Sequence, residues 1–261
     1  MWYSRILMLL GAVVMLSACG GGNGAVPPVQ TQTKAPTPQV AGLNGIWDGS
    51  YNSNVTGQTC NDMQALIFNG QVRAVSKSCD MVLTGDLTVN GNTASISFNS
   101  FSMDGSGANG TASFTGNFTA GSVIAGTYST SGKDSGHFTL NYNIVYENNS
   151  SLSKVEGSWE YKSASDWIDL RISKVGDIVG ADSNGCSYSG NISIIDPAYN
   201  LYAYKITLGN IPKFTCPDTG KYTGVASIGI AAGAKGVMTV LAGNNQNVFF
   251  ADFSKATGAT N

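Results

Sequence analysis

The amino-acid sequence predicts an all-β protein that consists of two tandem, small antiparallel modules behind a disordered tether. Three observations lead to this prediction. Helical periodicity is almost absent after Ala41, apolar and polar residues alternate with a period of two, and Asn-Gly or related turns interrupt the alternation at short intervals. The apolar fraction of 42% is enough to form a core and excludes a fully disordered chain, although only 11% of the residues are charged.

The first 18 residues are organised as a secretory signal peptide. Arg5 supplies a positive charge, an apolar run follows from Ile6 to Leu16, and small residues precede Cys19. The apolar run is shorter than the roughly 20 residues that a membrane-spanning helix needs, which makes an uncleaved anchor the weaker alternative. The segment Leu16-Ser17-Ala18-Cys19 resembles the lipobox of bacterial lipoproteins.

That resemblance implies cleavage before Cys19 and acylation of its sulfur and its new amino group, with palmitate and a diacylglycerol anchor. Two or more acyl chains hold a protein stably at a membrane. Gly20 stands where an aspartate marks inner-membrane retention in enterobacteria. The resemblance therefore implies the bacterial outer membrane, with the folded part on its periplasmic or its cell-surface side.

Residues 19–41 contain the lipidated cysteine and the expected tether. This segment is rich in glycine and then in proline, glutamine and threonine, and it has no apolar periodicity. Such a composition favours a flexible chain with polyproline character over a folded element.

A hairpin turn at Asn69-Gly70 organises the first cysteine pair. A two-residue turn at this dipeptide sets Cys60 opposite Cys79 and Asp62 opposite Lys77. Opposed residues of an antiparallel ladder lie within disulfide reach. The same register gathers five apolar side chains on one face: Met63, Ala65, Ile67, Val72 and Ala74.

The cysteine count agrees with an exported protein. With Cys19 set aside, four cysteines remain, and an even number in such a chain indicates disulfides. We expect a Cys60–Cys79 disulfide from the hairpin register and a Cys186–Cys216 disulfide by elimination. Zinc binding explains the four cysteines less well than disulfides do, because there is no CxxC pair and His137 is the only histidine in the sequence.

A second hairpin shows the clearest division into a buried and a polar face. A two-residue turn at Asn90-Gly91 places apolar residues on one face and threonine, serine and aspartate on the other. The sequence thus predicts strands that are apolar inside and polar outside. The apolar face consists of Leu83, Leu87, Val89, Ala94, Ile96 and Phe98.

Three landmarks recur in the same order and indicate that the module is duplicated. Surface-loop insertions and deletions explain the unequal spacing between them. The alternative is a chance likeness between strands that are rich in glycine, threonine and serine. The matched segments are Gly45-Ile46-Trp47 with Gly157-Ser158-Trp159, Leu83–Val89 with Tyr188–Ile194, and Phe114-Thr115-Gly116 with Tyr222-Thr223-Gly224.

Each copy contains about seven or eight short strands with tight turns, a pattern typical of a sandwich or an up-and-down barrel. Closure removes exposed strand edges and favours the barrel. The Gly-x-Trp at the start of each copy, before a hairpin meander, resembles the calycin folds, namely lipocalins and avidins. The resemblance implies that Trp47 and Trp159 plug one barrel end, but other lipocalin motifs and a clear biotin-pocket pattern are absent.

The expected organisation has four parts. Residues 1–18 are the lipoprotein signal peptide, and residues 19–41 are the lipidated cysteine and the flexible Pro/Gly-rich tether. Residues 42–150 and 151–261 are the two modules, for which we expect two tandem small antiparallel up-and-down β-barrels.

The chemistry-bearing residues form no catalytic pattern. His137 has no Gly-x-Ser-x-Gly segment to accompany it, and the spacing of Asp166 and Asp169 points them to opposite faces of a strand. Asp182 begins a segment like a calcium loop, but the glutamate of the twelfth position is absent, so an Asn-Gly turn explains it better. We expect no enzyme activity, no cofactor and no metal. The chain has no clusters of Lys and Arg, so the sequence argues against nucleic-acid binding.

Tyrosines give the one positive indication of a binding role. Tyr202 and Tyr204 share a face with apolar residues and are expected in the core, whereas Tyr199 in a turn is the candidate for partner contact. We expect a membrane-anchored envelope lipoprotein that acts as a non-catalytic binding or structural module for a protein, a glycan or a small apolar ligand. A ligand carrier would need an apolar cavity. The alternative is an inhibitor of host or competitor hydrolases, and a carboxylate-dependent hydrolase is the weaker third hypothesis.

Overall fold

A computed structural model of the chain describes residues 42–103, 110–229, 236–244 and 246–256. Cys19, the signal peptide and the tether lie outside these residues. The described chain is almost entirely β-structure, with one 3₁₀ turn, Ile144–Glu147, and one short helix, α1, Leu152–Val155. Its strands are β1 Gly45–Ser53, β2 Thr59–Phe68, β3 Gln71–Ser76, β4 Met81–Asn90, β5 Thr93–Phe101, β6 Gly110–Thr119, β7 Val123–Thr130, β8 Ser135–Tyr142, β9 Gly157–Lys162, β10 Trp167–Ile172, β11 Asp177–Asp182, β12 Cys186–Ile194, β13 Tyr202–Asn210, β14 Gly220–Ile228, β15 Val237–Gly243 and β16 Val248–Lys255.

These strands form two closed antiparallel barrels, which confirms the predicted fold class. In the first barrel, β1 to β8 pair in chain order, and β8 returns to β1 through a ladder from Trp47–Tyr142 to Ser53–Gly136. In the second barrel, β9 to β16 do the same, and Ser254–Glu160 and Lys255–Trp159 close the ring. Neither ring has an open edge, so its backbone donors and acceptors are paired all the way round.

The Asn69-Gly70 turn has the predicted geometry. Both residues have positive φ, 50° and 78°, as a type I′ turn requires. The pairing of β2 with β3 follows the predicted register, for example Ala65 with Ala74. The ladder stops before it reaches Asp62 and Lys77, so the expected pairing of those two side chains is wrong.

Instead, those two side chains turn to different partners. The Asp62 carboxylate accepts hydrogen bonds from the hydroxyls of Ser76 at 2.6 Å and Ser78 at 2.7 Å. The Lys77 ammonium forms an ion pair with Asp252 of the second barrel. Lys77 is therefore one of the connections between the two barrels.

The turn between β4 and β5 lies one residue later than predicted, which shifts the pairing register by two residues. Asn90 pairs with Thr93, so the turn residues are Gly91 and Asn92. Gly91 has a φ of 58° at the first turn position, and Asn92 at the second is not among the residues with positive φ, so the turn is type II′ rather than type I′. Because the register shifts by an even number of residues, the predicted apolar face still points inward. Five of its six side chains are buried, and Val89 near the end of β4 is 39% exposed.

Side chains fill the interior of each barrel. Trp47 and Trp159 are fully buried near the start of the first strand of their barrels, and Tyr202 and Tyr204 are buried as predicted. The first interior includes Ile67, Leu83, Ile96, Phe98, Phe114, Ile124, Phe138 and Leu140. The second includes Leu170, Ile178, Ile192, Ile206, Met238, Val240, Ala251 and Phe253.

The outer wall is apolar where the barrels meet, contrary to the polar exterior expected from the sequence. Both barrels belong to one compact unit, and a third buried cluster joins their outward-facing side chains. We call this cluster the inter-barrel face. Its buried members are Ile46, Leu66, Val75, Val82 and Phe101 of the first barrel, Tyr146 of the connection, and Leu201, Leu241 and Val248 of the second barrel.

Asn200 fastens the connection between the barrels to the second barrel. Its side-chain amide donates to the carbonyl oxygens of Ile228 at 2.7 Å and Val145 at 3.3 Å. Its side-chain oxygen accepts from the Ile228 N–H at 3.1 Å. Asn200 is only 2% exposed, so these bonds replace water contacts that burial has removed.

The repeated segments occupy corresponding strands, namely the first, fourth and sixth of each barrel. The shared glycine of the third segment has a steric cause. A Cβ at Gly116 would lie 2.4 Å from the carbonyl oxygen of Ala125, and one at Gly224 would lie 2.0 Å from that of Leu241. In both barrels the neighbouring strand passes too close for any side chain. This correspondence is what a duplicated module predicts.

Candidate functional site

The two ends of each barrel are different. At one end the indole Nε1–H of Trp47 donates to the carbonyl oxygen of Leu43 at 3.1 Å, and that of Trp159 donates to Val155 at 2.7 Å. Each tryptophan thus ties its barrel to the segment that precedes the first strand. The opposite end, where β1 and β9 finish, has a pocket in both barrels, and we call it the mouth.

The mouth of the first barrel is a pocket of about 200 Å³. Tyr51 meets Tyr128 edge-on with ring centroids 5.4 Å apart, and Phe114 stacks on Tyr128 at 5.5 Å. The Asp134 carboxylate accepts hydrogen bonds from Tyr128 at 3.0 Å and from Ser53 at 2.6 Å. Burial, followed by the bond to Asp134, raises the pKa of Tyr128 to about 12. The carboxylate is therefore satisfied within the fold rather than free to act as an acid or base.

The mouth of the second barrel is a pocket of about 210 Å³, and six of its sixteen lining residues are aromatic. Met103, which follows β5 of the first barrel, also lines it, so both barrels contribute to this pocket. Its aromatic side chains are Tyr161, Trp167, Tyr188, Tyr222, Phe249 and Phe250.

Asp182 supports this mouth from within. It is 7% exposed, and it accepts hydrogen bonds from the N–H groups of Asn184 and Cys186, both at 2.9 Å, and from the Tyr188 hydroxyl at 2.7 Å. Burial and this bond raise the pKa of Tyr188. The segment that resembles a calcium loop is thus a turn, and its first carboxylate is occupied by the turn's own donors.

Two aromatic side chains stand exposed at the edge of the second mouth, and we call Trp167 and Phe214 the aromatic rim. Trp167 is 40% exposed and Phe214 is 62% exposed. Ser183 holds Trp167 by two bonds, from its N–H to the Trp167 carbonyl at 3.0 Å and from the Trp167 N–H to its hydroxyl at 3.3 Å. A Cβ on Gly185 would lie 2.5 Å from Phe214 Cβ, so both rim residues border the same short turn.

A disulfide fastens the loop that carries Phe214. Cys186 at the start of β12 is bonded to Cys216 in the loop between β13 and β14, with Cα atoms 4.6 Å apart. The Cys216 N–H also donates to the Asn210 side chain at 2.9 Å. In the first barrel, Cys60 is bonded to Cys79. These are the two pairs that the sequence predicts, and each ties down a mouth-side loop.

The remaining candidates from the sequence do not form a reactive centre. His137 is exposed on β8 opposite Asn52 and Thr127. Asp166 lines the second mouth and accepts from the Ser165 hydroxyl at 2.5 Å, while Asp169 is exposed on the outer wall. Across the described ranges, no three His, Cys, Asp or Glu side chains are grouped to hold a metal ion.

Tyr199 is placed differently from the expectation that it stands free for a partner. Its ring stacks on Tyr146 with centroids 4.6 Å apart and an interplanar angle of 8°, and it packs against the inter-barrel face. The stacked side of the ring is covered, so we assign Tyr199 to packing. Cys19 lies outside the described residues.

Sequence reasoning missed the aromatic rim, although a signal was present. Along β10, Ile168, Leu170 and Ile172 alternate with Trp167, Asp169 and Arg171, so Trp167 falls on the face otherwise occupied by charged residues. Phe214 lies in a loop that Cys216 closes. An aromatic on a polar face and an aromatic in a stapled loop both indicate a contact surface.

No protein-family model matches this chain, and no curated protein matches it. Among solved structures, the isotype 1 transferrin binding protein B from serogroup B Neisseria meningitidis is similar at 12% sequence identity and a TM-score of 0.26. The match covers 80% of this chain and 61% of that chain, so the present chain spans under two thirds of that structure. A TM-score this low is not evidence of a shared fold. In the part of the chain that the structure describes, no helix has the length and apolarity to cross a bilayer.

Proposed function

We propose that the chain is an outer-membrane, lipid-anchored envelope protein that binds another protein through the aromatic rim. The observation that carries this proposal is the exposure of Trp167, at the start of β10, and of Phe214, in a loop that the Cys186–Cys216 disulfide ties to the barrel. Exposed aromatic side chains contribute large contact areas at protein interfaces. Their fixed positions reduce the entropy that binding would otherwise cost.

The barrel interiors argue against a carrier of small apolar ligands. Side chains fill both interiors, and the mouth pockets of about 200 and 210 Å³ are smaller than the roughly 300–1,000 Å³ of typical small-molecule sites. The mouth carboxylates Asp134 and Asp182 are held by internal hydrogen bonds. This arrangement supports a binding role over hydrolysis.

The proposal includes a lipid anchor at Cys19 and a location outside the cytoplasm. Cys19 is the lipidation site by its resemblance to a lipobox, and the two disulfides fit an oxidising compartment outside the cytoplasm. Mass spectrometry of the mature protein is expected to find an acylated N-terminal Cys19. Retention of Met1, or an unmodified Cys19, would contradict the anchor.

Position-specific photo-crosslinking in cells that express the full chain tests the rim. A benzophenone amino acid at Trp167 or Phe214 is expected to form one protein adduct of defined mass. Val175 is the control, since it is 69% exposed in the turn between β10 and β11, at the far end of the same barrel. Adducts of equal yield from Val175, or none from either rim position, would reject the proposal. An adduct that a glycosidase removes would assign the rim to a glycan.

A second candidate function, inhibition of a hydrolase, is favoured by the Phe214 loop. An inhibitor inserts a rigid loop into a catalytic cleft, and this loop is exposed and tied to the barrel by Cys186–Cys216. A panel of lysozymes and proteases tests it, and inhibition must be lost in Phe214→Ala. If no enzyme of the panel is inhibited, the rim is left as a non-inhibitory binding surface.

A further inference from the structure

A polar cleft of about 250 Å³ lies between the barrels and shares no lining residue with either mouth pocket. Its floor on the first barrel is a cross-strand row in which Arg73 pairs with Thr84 and Thr84 pairs with Asn99. The facing wall comes from the second barrel, where Thr223 pairs with Gly243. The full lining is Gln71, Arg73, Thr84, Gly85, Asp86, Asn99, Thr223, Gly243 and Asn244.

Among the described residues, Arg73 is the only cation that lines this cleft, and its charge is not neutralised by a contact. Among the described residues no carboxylate lies within ion-pair distance of Arg73, and its guanidinium makes no hydrogen bond. Asp86 acts on it from the diagonal position of the β3–β4 ladder, without contact. Burial lowers the pKa of Arg73 despite that carboxylate. A guanidinium stays charged in proteins. Because Arg73 has no ion pair and no hydrogen bond among the described residues, nothing replaces the water contacts that its partial burial removes.

We propose that this cleft binds a sugar that carries a carboxylate, such as a uronic acid. The planar guanidinium of Arg73 matches a carboxylate through two parallel hydrogen bonds. The neutral side chains around it include Thr84, Asn99 and Thr223, whose hydroxyl and amide groups can both donate to and accept from sugar hydroxyls. The Asn244 oxygen accepts from the Gln246 and Asn247 N–H groups, so Asn244 offers the cleft only its amide donor. At about 250 Å³ the cleft is also smaller than a drug-sized site, so the proposal is for a single sugar unit held by polar contacts rather than for a larger apolar ligand.

The site exists only where the two barrels are packed together. A Cβ on Gly243 would lie 3.8 Å from the Thr84 side chain, so the second barrel approaches the first closely at the centre of the cleft. Binding is therefore expected to require residues of both barrels, Arg73 on one side and Thr223 on the other. This requirement separates the cleft from the aromatic rim, whose residues belong to the second barrel alone.

Saturation-transfer NMR and calorimetry with the full lipidated chain in a sugar-free detergent test the proposal. The probes are D-glucuronate, with D-glucose and acetate as controls for the sugar and for the carboxylate. Glucuronate is expected to bind, and both controls are expected to bind at least about tenfold more weakly. No glucuronate binding, equal binding of glucose, or equal binding of acetate would each overturn the proposal.

Substitutions of the lining residues test which side chains contact the glucuronate. Arg73→Gln is expected to weaken glucuronate binding about tenfold or more. Thr223→Val, which removes a hydroxyl of the second barrel, is expected to weaken it several-fold, and Asp86→Asn to strengthen it. Arg171→Gln is the control, because Arg171 is exposed on the outer wall of β10. Arg73→Lys keeps the charge and is expected to bind with intermediate strength, so it serves if Arg73→Gln does not fold. Unchanged affinity in both Arg73 variants would overturn the proposal.

Discussion

Trp159 donates its indole N–H to the carbonyl oxygen of Val155, four residues earlier, and Trp47 bonds Leu43 with the same spacing. The same hydrogen bond therefore occurs at the corresponding end of both barrels. In each, the buried ring anchors the chain just before the first strand. The second ring has an added contact, because the Lys255 ammonium lies 5.5 Å from its centroid.

We predict that Trp47→Ala and Trp159→Ala each reduce the free energy of unfolding by about 3–5 kcal/mol, since each leaves a large cavity and a carbonyl without its donor. Trp167→Ala is the matched control. Its side chain is 40% exposed, and we expect a change within about 0.5 kcal/mol. Urea unfolding measures all three. Equal losses at Trp47 and Trp167 would contradict the assigned role of Trp47.

We predict that Asn200→Ala reduces the free energy of unfolding by about 2 kcal/mol, because it removes a 2% exposed side chain and leaves the partly buried N–H and carbonyl of Ile228 without these partners. Asn141→Ala on the exposed side of β8 is the control and is expected to have little effect. If the two variants unfold at the same urea concentration, Asn200 does not fasten the connection.

Replacing both Cys186 and Cys216 by serine is expected to cost about 3–4 kcal/mol in the chain-entropy estimate for a sequence separation of 30. The same change should accelerate amide hydrogen exchange in the loop that carries Phe214. Peptide mapping of the non-reduced protein checks the connectivity first. A peptide that links Cys79 to Cys186 would refute both disulfides.

Stability is expected to fall as the pH rises from about 10 to about 12. The ordinary tyrosine pKa is 10.0, and burial, with help from nearby carboxylates, raises the pKa of both Tyr128 and Tyr146 to about 12. In this window the unfolded chain loses protons that the folded chain keeps, so unfolding becomes more favourable. Below pH 10 these tyrosines are protonated in both the folded and the unfolded chain, so they do not make the stability depend on pH.

Urea unfolding at several pH values in this window, together with tyrosinate absorbance, measures the effect. Tyr128→Phe is the control, since it removes one of the tyrosines whose pKa is raised and should make the fall in stability shallower. A stability that stays constant or rises across the window would contradict the assignment.

Local chemistry made several features predictable from the sequence. The Asn69-Gly70 turn requires positive φ at both residues, and that requirement fixed the register as far as Gln64–Val75. The predicted Cys60–Cys79 disulfide forms beyond the end of that ladder. Alternation predicted which residues of β4 and β5 point inward. It could not distinguish type I′ from type II′ at Asn90-Gly91, because a shift of two residues leaves the same faces buried.

The inter-barrel face was not predicted, because its residues lie on the side that alternation assigns to solvent. Leu66 and Val75 point out of the first barrel and are buried only because the second barrel covers them. The continuous apolar run around Leu66 and the one in β15 are the signals, since strands buried on both faces lose their alternation. The position of Arg73 in a cleft likewise depends on this docking, which no local pattern encodes.

The packing of the two barrels into one unit underlies the shared mouth pocket and the Arg73 cleft, and a zero-length crosslink tests it most directly. A carbodiimide joins a lysine to a carboxylate only when they are in contact. Treatment of the full chain is expected to link Lys77 of the first barrel to Asp252 of the second, beside the internal control link of Lys162 to Glu160. Recovery of the control link without any Lys77–Asp252 peptide would contradict the packing.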